Sequence, residues 1–247
     1  MTNQRPVFFI LLLLISIVSG AQEMDLGISK NKGDSLKEAR RKDYEKRVAH
    51  MKEMERRMRR DLKGFRDSVA LVRKEKTRKE ARIRIEEYKS DPNFSELKEI
   101  DLSGAQLEEV PAFVLGAISM EVLVLDGNNI SRLPKELSEL KQLKRIYWRN
   151  NDLGTKKVQI PKLIGIEKLD LTGNSLSKLP KVQRIKGIEE LVLESNQFEK
   201  IPFWKVRKLK SIKELELSQN PIALDKRWYW LLKDLKILKL NKCGITA

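Results

Sequence analysis

Apolar residues recur through residues 97–247 in steps of about 23, which is the strongest pattern in the chain. The first, fourth, sixth and eleventh positions of each step are apolar, and the alternation at the fourth and sixth predicts a short strand with one buried face. A pattern that stays in phase over seven steps predicts stacked units, because no single unit can bury its own apolar side chains. The units begin at Leu97, Met120, Leu143, Ile166, Ile188, Ile212 and Leu235.

These units resemble leucine-rich repeats, whose pattern is LxxLxLxxNxLxxLP with a period of about 20–29 residues. Four of them close with an aliphatic–proline pair, at Val110-Pro111, Leu133-Pro134, Leu179-Pro180 and Ile201-Pro202. The resemblance covers residues 97–247, where the seventh repeat is truncated. It implies an α/β leucine-rich repeat solenoid, in which short parallel β-strands line the concave face and the chain returns along the convex side.

The ninth position of each repeat is the Asn position of the family pattern. There an inward-turned amide donates to and accepts from backbone groups that the turn leaves unpaired. Cys is a common substitute at this position in the family, so the last repeat is expected to hold a buried structural thiol. The resulting structural ladder is expected at Asn128, Asn151, Asn174, Asn196, Asn220 and Cys243.

Residues 35–90 predict a long basic α-helix, since good helix formers dominate and there is one Gly and no Pro. From Tyr44 to Val72, apolar residues recur in alternating steps of three and four, with Glu55 as the one break, which is the pattern of a coiled coil. Three arrangements remain open for this helix: pairing with a second copy or a partner helix, packing on the repeats, or a solitary charged helix. Ile83, Ile85, Tyr88 and Phe94 are expected to cap the first repeat.

The first 21 residues have the layout of a secretory signal peptide: Arg5, an apolar run from Val7 to Val18, and then small residues. We therefore expect an exported protein of bacterial type, located in the periplasm, at the cell surface or outside the cell. An uncleaved N-terminal segment that anchors the protein is the alternative. Residues 22–34 are expected to be a linker and residues 91–96 a connector between helix and repeats.

Charge and composition narrow the function classes. The formal net charge is +16, and residues 33–90 hold 21 Lys+Arg against 12 Asp+Glu. Export makes nucleic acid an unsuitable partner for this basic helix, so an anionic surface polymer or lipid is the alternative target. With one Cys and one His in the chain, and no phosphate-binding loop or metal-ligand spacing, we expect no enzyme, no cofactor and no metal site.

Residues between the inward strand positions are expected on the concave face, where leucine-rich repeat proteins usually bind partners. Acidic and apolar residues come first (Glu99, Asp101, Val122, Val124 and Asp126), then basic ones, then acidic ones again. Such banding favours a protein or peptide partner over a polyanion, and Arg and Tyr are common in binding hot spots. The candidate partner-binding residues are Arg145, Tyr147, Arg149, Lys168, Glu190, Glu194, Glu214 and Glu216.

The function expected from these features is an exported protein–protein interaction module. The alternative is an envelope scaffold whose basic helix contacts anionic polymer or membrane. The seventh repeat ends near its Asn position without a polar cap, and solenoid ends normally need one. A homodimer is therefore expected through helix residues 44–72 or through this uncapped repeat.

Overall fold

A computed structural model of the protein describes residues 34–200, 203–222 and 235–243. The chain divides into two compact units, Met1–Ser68 and Val69–Ala247. The expected signal peptide at residues 1–21, and all but the last residue of the expected linker, lie outside the described residues. Both stay predictions.

Helix α1 (Asp34–Ser90) is 57 residues long, which confirms the prediction of one long helix. Ion pairs at i,i+4 spacing cover its exposed surface, such as Arg47 with Asp43 at 2.8 Å. Exposed pairs of this kind contribute only about 0.3–0.5 kcal/mol each to helix stability. The helix ends ahead of Asp91 and Pro92, because a residue that precedes proline is driven out of the α region.

In the described part of the chain, seven strands form one parallel sheet, and their order across the sheet is their order along the chain. The prediction of one parallel strand per repeat is confirmed. Equivalent residues are direct partners, so Ile100 lies opposite Leu123 and Leu123 opposite Ile146. The strands are β1 (Glu99–Asp101), β2 (Val122–Val124), β3 (Arg145–Tyr147), β5 (Lys168–Asp170), β7 (Glu190–Val192), β8 (Glu214–Glu216) and β9 (Ile237–Lys239).

The fourth and sixth positions of the first six repeats supply the centre of a continuous apolar core, which runs from repeat to repeat. Leu123, Leu125 and Leu169 have no solvent exposure. Trp148 replaces the usual leucine and is equally buried, and its indole Nε1–H donates to the Ile130 carbonyl at 3.0 Å. This hydrogen bond satisfies the one polar atom that the larger side chain brings into the core.

Where the structure describes them, the return segments of the repeats contain short 3-10 helices, a second small sheet or a single α-helical turn. Pro111 and Pro134 directly precede the 3-10 helices Ala112–Gly116 and Lys135–Glu139, with φ near −62° and −65°. Proline fixes φ near these values, so it sets the direction of the chain as each helix begins. Further along, β4 (Leu163–Ile164) pairs with β6 (Ile185–Lys186), and α2 (Phe203–Val206) is a single helical turn.

The eighth residue of every repeat has a positive φ, which turns the chain sharply after the strand. Glycine suits this left-handed conformation because it has no Cβ. Glycine occupies it in three repeats, and other residues accept it in four. The residues are Gly104, Gly127, Asn150, Gly173, Ser195, Gln219 and Lys242.

The last turns of α1 pack on the first repeat within the second unit. Ala81 is 1% exposed and Ile85 is 9% exposed, and both belong to the core of the repeats. Tyr88 and Phe94 pack against the same core. Ile83, by contrast, is 60% exposed, so its expected role in capping is wrong. A helix turns about 100° per residue, so Ile83 lies on the side of α1 opposite to that of Ile85.

Polar side chains of α1 also form hydrogen bonds with backbone groups at the outer edge of β1. The Asp101 N–H donates to the Tyr88 hydroxyl at 3.1 Å, and Arg84 Nε donates to the Asp101 carbonyl at 2.7 Å. A second Arg84 nitrogen donates to the Ser103 carbonyl at 3.0 Å. These groups would otherwise form an unpaired strand edge, which can recruit other strands.

Candidate interaction surface

Alternate strand residues point away from the core and form what we call the open face of the sheet. Their neighbours along each strand are the buried core residues, so the alternation places them on the opposite side. Parallel pairing aligns them in two rows across the seven strands. The first row is Glu99, Val122, Arg145, Lys168, Glu190, Glu214 and Ile237, and the second is Asp101, Val124, Tyr147, Asp170, Val192, Glu216 and Lys239.

On strands β5 to β9 the charged residues of the open face pair with one another. Lys168 Nζ lies 2.6 Å from Glu190 Oε1. Lys239 contacts both Glu214 and Glu216, and its hydrogen bond to Glu214 is the main cause that raises the pKa of the Lys239 ammonium. The expected partner-binding residues Lys168, Glu190 and Glu214 are therefore already engaged within the protein.

Glu216 and Glu194 also differ from the sequence-based expectation. Glu216 is only 8% exposed, and its carboxylate accepts the Ser218 N–H at 2.9 Å. It offers no free carboxylate to a partner, which corrects its assignment as a binding residue. Glu194 accepts a hydrogen bond from the Gln219 side chain.

Arg149 lies two residues beyond Tyr147 of the second row and is held by acidic neighbours. Its guanidinium contacts Asp126 Oδ2 at 2.6 and 2.8 Å and Asp170 Oδ2 at 3.9 Å. The hydrogen bond to Asp126 is the main cause that raises the pKa of Arg149 above its ordinary value. A partner would have to compete with these carboxylates, so Arg149 is a fixed element of the surface.

The Tyr147 ring contacts two cations. The Arg149 guanidinium carbon is 5.2 Å from the ring centroid and Lys168 Nζ is 5.7 Å from it. Both distances fit cation–π contacts. Both cations therefore help to fix the position of the ring.

Strands β1 to β3 differ, because they border an open cleft of about 510 Å³. Within the part of the chain that the structure describes, Glu99 and Arg145 are the charged residues of the open face without an ion pair or side-chain hydrogen bond. Half-buried Val122 and Val124 lie between them. The cleft is lined by Glu99, Asp101, Ser103, Val122, Val124, Asp126, Arg145, Tyr147 and Arg149.

Of the eight expected binding residues, only Arg145, Tyr147 and Arg149 line this cleft. The two valines and Glu99 were recognised in the sequence as residues of the open face but were not selected as candidates. The signal that identifies them is comparative: opposite charges are direct neighbours on adjacent strands at Lys168 and Glu190 and at Glu216 and Lys239, whereas a valine separates Glu99 from Arg145.

The Asn ladder fixes the ends of the strands that carry this face. Asn151 is representative: its Oδ1 accepts the Ile130 N–H at 2.9 Å, and its Nδ2 donates to the Leu125 carbonyl at 2.9 Å. Asn174, which has no solvent exposure, donates to the Trp148 carbonyl at 2.7 Å. Each amide thus links one repeat to the previous one, and buried backbone groups find partners.

Cys243 has the same place in the seventh repeat. It is 3% exposed, and its Sγ lies 3.2 Å from the Leu217 carbonyl as a thiol donor. A thiol donates only weakly and accepts poorly, so this rung of the ladder is weaker than an asparagine.

A second surface lies on α1 within the first unit. Apolar side chains of the coiled-coil pattern are exposed there: Tyr44 by 55%, Leu62 by 42% and Phe65 by 68%. Glu55, the break in that pattern, is paired with Arg59 at 2.6 Å. This part of the helix therefore presents an apolar stripe among charged residues.

The described parts of the chain contain neither a metal-ligand cluster nor a helix suited to cross a membrane. No group of three or more His, Cys, Asp and Glu there is arranged to hold a metal ion. Among the same residues, no helix combines the length and apolar character that crossing a bilayer requires.

No protein-family model matches the chain. Among characterised proteins, a probable serine/threonine-protein kinase of Dictyostelium discoideum, pats1, is 29% identical over 136 residues. That match spans 52% of this chain and 4% of the kinase.

Solved structures with a partly similar fold include three leucine-rich repeat or receptor proteins. The Leptospira interrogans protein LIC12759 has a TM-score of 0.46 and 24% identity, over 64% of this chain and 40% of its own. The Arabidopsis receptor kinase HAESA, solved with the peptide hormone IDA and the co-receptor SERK1, has a TM-score of 0.43 and 24% identity, over 62% and 27%. The type III effector XCV3220 (XopL) has a TM-score of 0.35 and 20% identity, over 61% and 46%. This chain spans less than half the length of each.

Proposed function

We propose that the protein is an exported interaction module that binds an extended segment of a protein or peptide on the concave side of its repeats. The cleft over β1 to β3 is the proposed site. The observation that supports it is the contrast between this cleft, where Glu99 and Arg145 have no partner among the described residues, and the remaining open face, where charges are paired.

An unpaired charge on a surface favours association, because a partner can pair with it without first breaking an internal ion pair. Val122 and Val124 add apolar area that is still half exposed, and burying it contributes about 25 cal/mol per Å². Arg149 and Tyr147, held in place by their neighbours, lose little side-chain entropy when a ligand contacts them.

Export rests on the signal-like sequence of residues 1–21. We infer cleavage after Gly20 or Ala21. Intact-mass measurement of protein secreted by a bacterial host gives the N-terminus directly, and a full-length mass in the membrane fraction would instead support the anchored form.

The binding proposal is tested with peptides selected from a random library on immobilised wild-type protein. Their affinities are then measured by calorimetry for Arg145→Glu, Val124→Asp and the control Lys157→Glu. Lys157 is exposed and lies outside the cleft, so its replacement makes the same change in net charge as Arg145→Glu. We expect at least tenfold weaker binding for the two cleft variants and unchanged binding for the control. Equal binding by all four proteins would refute the proposal.

An envelope scaffold is the second candidate function, supported by the exposed stripe of α1. Leu62 and Phe65 are exposed beside Lys63 and Arg66, an arrangement that suits a helix lying on an anionic surface. Binding to vesicles of phosphatidylglycerol, lost in phosphatidylcholine and reduced by Phe65→Ser, would favour this function. A homodimer through residues 44–72 is the competing use of the same stripe.

A further inference from the structure

We propose that the cleft takes an extended segment that carries one cationic and one acidic side chain three residues apart, with aliphatic residues between them. This inference rests on the proposed function and specifies its ligand. The cationic side chain lies against Glu99, the acidic one against Arg145, and the aliphatic ones over the two valines.

Side chains at equivalent positions of β1, β2 and β3 form three columns across the cleft. Glu99 pairs in register with Val122, and Val122 with Arg145, while Asp101, Val124 and Tyr147 repeat the same order one row along. The cleft therefore consists of an acidic column, an apolar column and a column with a cation and an aromatic ring. A segment that covers all three must reverse these charges to match them.

Some charged side chains of the cleft are already paired within the protein, and others are free to bind a ligand. Asp101 is engaged by Arg84, with Nη1 and Oδ2 3.3 Å apart, and Arg149 is engaged by Asp126. Among the described residues of the cleft, this leaves Glu99 as the acid and Arg145 as the base that have no partner. Both are exposed, so each can adjust its rotamer to meet a ligand.

The distance between these two charges gives the spacing in the ligand. Adjacent strands lie about 4.8 Å apart, so the Cα atoms of Glu99 and Arg145 are separated by about 9.6 Å. Residues i and i+3 of a polyproline II segment are about 9 Å apart and lie on the same side, because this conformation has three residues per turn. Two aliphatic residues then lie between the charged ones, at the level of Val122 and Val124.

The polarity of the cleft comes from Glu99 and Arg145, because the neighbouring charges are paired within the protein: Lys168 with Glu190 and Asp101 with Arg84. The field thus changes sign across the two valines, and a segment with two like charges would meet repulsion at one end. Direction along the segment is not specified, because either order of cation and acid satisfies both ends.

The experiment uses three acetylated and amidated peptides in one Gly/Ser host, with cores Lys-Val-Val-Asp, Asp-Val-Val-Asp and Lys-Val-Val-Lys. Blocked termini remove terminal charges. Wild-type protein is expected to bind the mixed-charge core about fivefold or more tightly than either like-charge core, since an exposed ion pair changes affinity by about this factor.

Two variants should reverse that preference. Glu99→Lys gives the cleft two positive ends and is expected to prefer the diacidic core, whereas Arg145→Glu gives two negative ends and is expected to prefer the dibasic core. Lys157→Glu should keep the wild-type preference. Thermal unfolding of each variant shows that the fold is intact.

The outcomes separate the two proposals. Equal affinities of the three cores for wild-type protein, with binding still lost in Val124→Asp, would overturn this charge assignment and keep the binding site. If Glu99→Lys and Arg145→Glu kept the wild-type preference among the three peptides, the charge assignment would also be overturned and the binding site kept. No effect of any cleft variant on library-selected peptides would remove the proposed function itself.

Discussion

The two ends of helix α1 differ in how regular their apolar pattern is and in how much of it is buried. In the first unit the pattern is regular, yet Leu62 and Phe65 are exposed by 42% and 68%. In the last turns, the pattern is irregular, yet Ala81 and Ile85 are buried in the core of the repeats. Burial therefore follows from a complementary surface that folds beside the helix, and regularity alone does not ensure it.

The contact at the last turns relies on residues that an apolar pattern does not reveal. Ala81 contributes a small side chain that allows close approach, and Arg84 and Tyr88 satisfy backbone groups at the edge of β1. Thr77 reaches so close to Gly104 that a Cβ there would lie 2.7 Å from its methyl group. Together these residues give the first strand the hydrogen-bond partners that a preceding repeat would provide.

The largest expected effect comes from truncating the buried isoleucine of this contact. Ile85→Ala should lower the free energy of unfolding of the repeats by about 2–3 kcal/mol, through lost burial and a residual cavity. Urea unfolding followed by tryptophan fluorescence measures this, since all four tryptophans lie in the repeats, between residues 148 and 230.

Ile83→Ala is the matched control, since it makes the same substitution two residues away on the same helix. Ile83 is 60% exposed, so the change should stay within about 0.5 kcal/mol. If both variants lost equal stability, the contrast between the two sides of the last turns would be wrong.

A smaller effect is expected at the polar part of the contact. Arg84→Ala removes hydrogen bonds to the carbonyls of Asp101 and Ser103 and should cost about 1–2 kcal/mol, since charged donors strengthen such bonds but the site is partly exposed. Arg82→Ala, on the exposed side of the helix, is the control with no expected loss. The same urea titration decides between them, and a loss confined to Arg82→Ala would contradict the edge-pairing account.

The repeat fold could be predicted from the sequence because one constraint recurs seven times. The apolar fourth and sixth positions determine the strands. Trp148 fits the same pattern, because the Ile130 carbonyl accepts the hydrogen bond of its indole N–H. The capping by α1 was only partly predictable. Ile85 and Ile83 are indistinguishable by composition, and their difference arises from helix rotation against the first repeat.

The candidate site was less predictable, because pairing across strands depends on rotamers. Sequence shows Lys168 and Glu190 as two charges, and only the structure shows that they neutralise each other at 2.6 Å. Likewise, the alternation along its strand places Glu216 on the open face, but its side chain is only 8% exposed. The unpaired state of Glu99 and Arg145 becomes visible only once the other charges of the open face have been assigned partners.

The smallest effect on stability, but the clearest on association, is expected from Leu62→Ser with Phe65→Ser. These residues are exposed in the single chain, so the unfolding of the repeats should change by less than about 0.5 kcal/mol. If α1 pairs with a second copy through this stripe, sedimentation equilibrium should show wild-type dimer and a monomeric variant. A wild-type monomer at tens of micromolar would exclude the coiled-coil homodimer.

Glu55→Leu tests the same stripe in the opposite direction. Glu55 interrupts the apolar pattern and is paired with Arg59 on its own helix, so its carboxylate would lie at the interface of a helix pair. Replacing it with leucine removes the cost of burying that charge and adds apolar area. The dimer should therefore tighten, and more so at high salt, because screening weakens repulsion between the basic helices. Weaker association of Glu55→Leu would mean that the stripe binds another surface and that Glu55 contributes an ion pair to it.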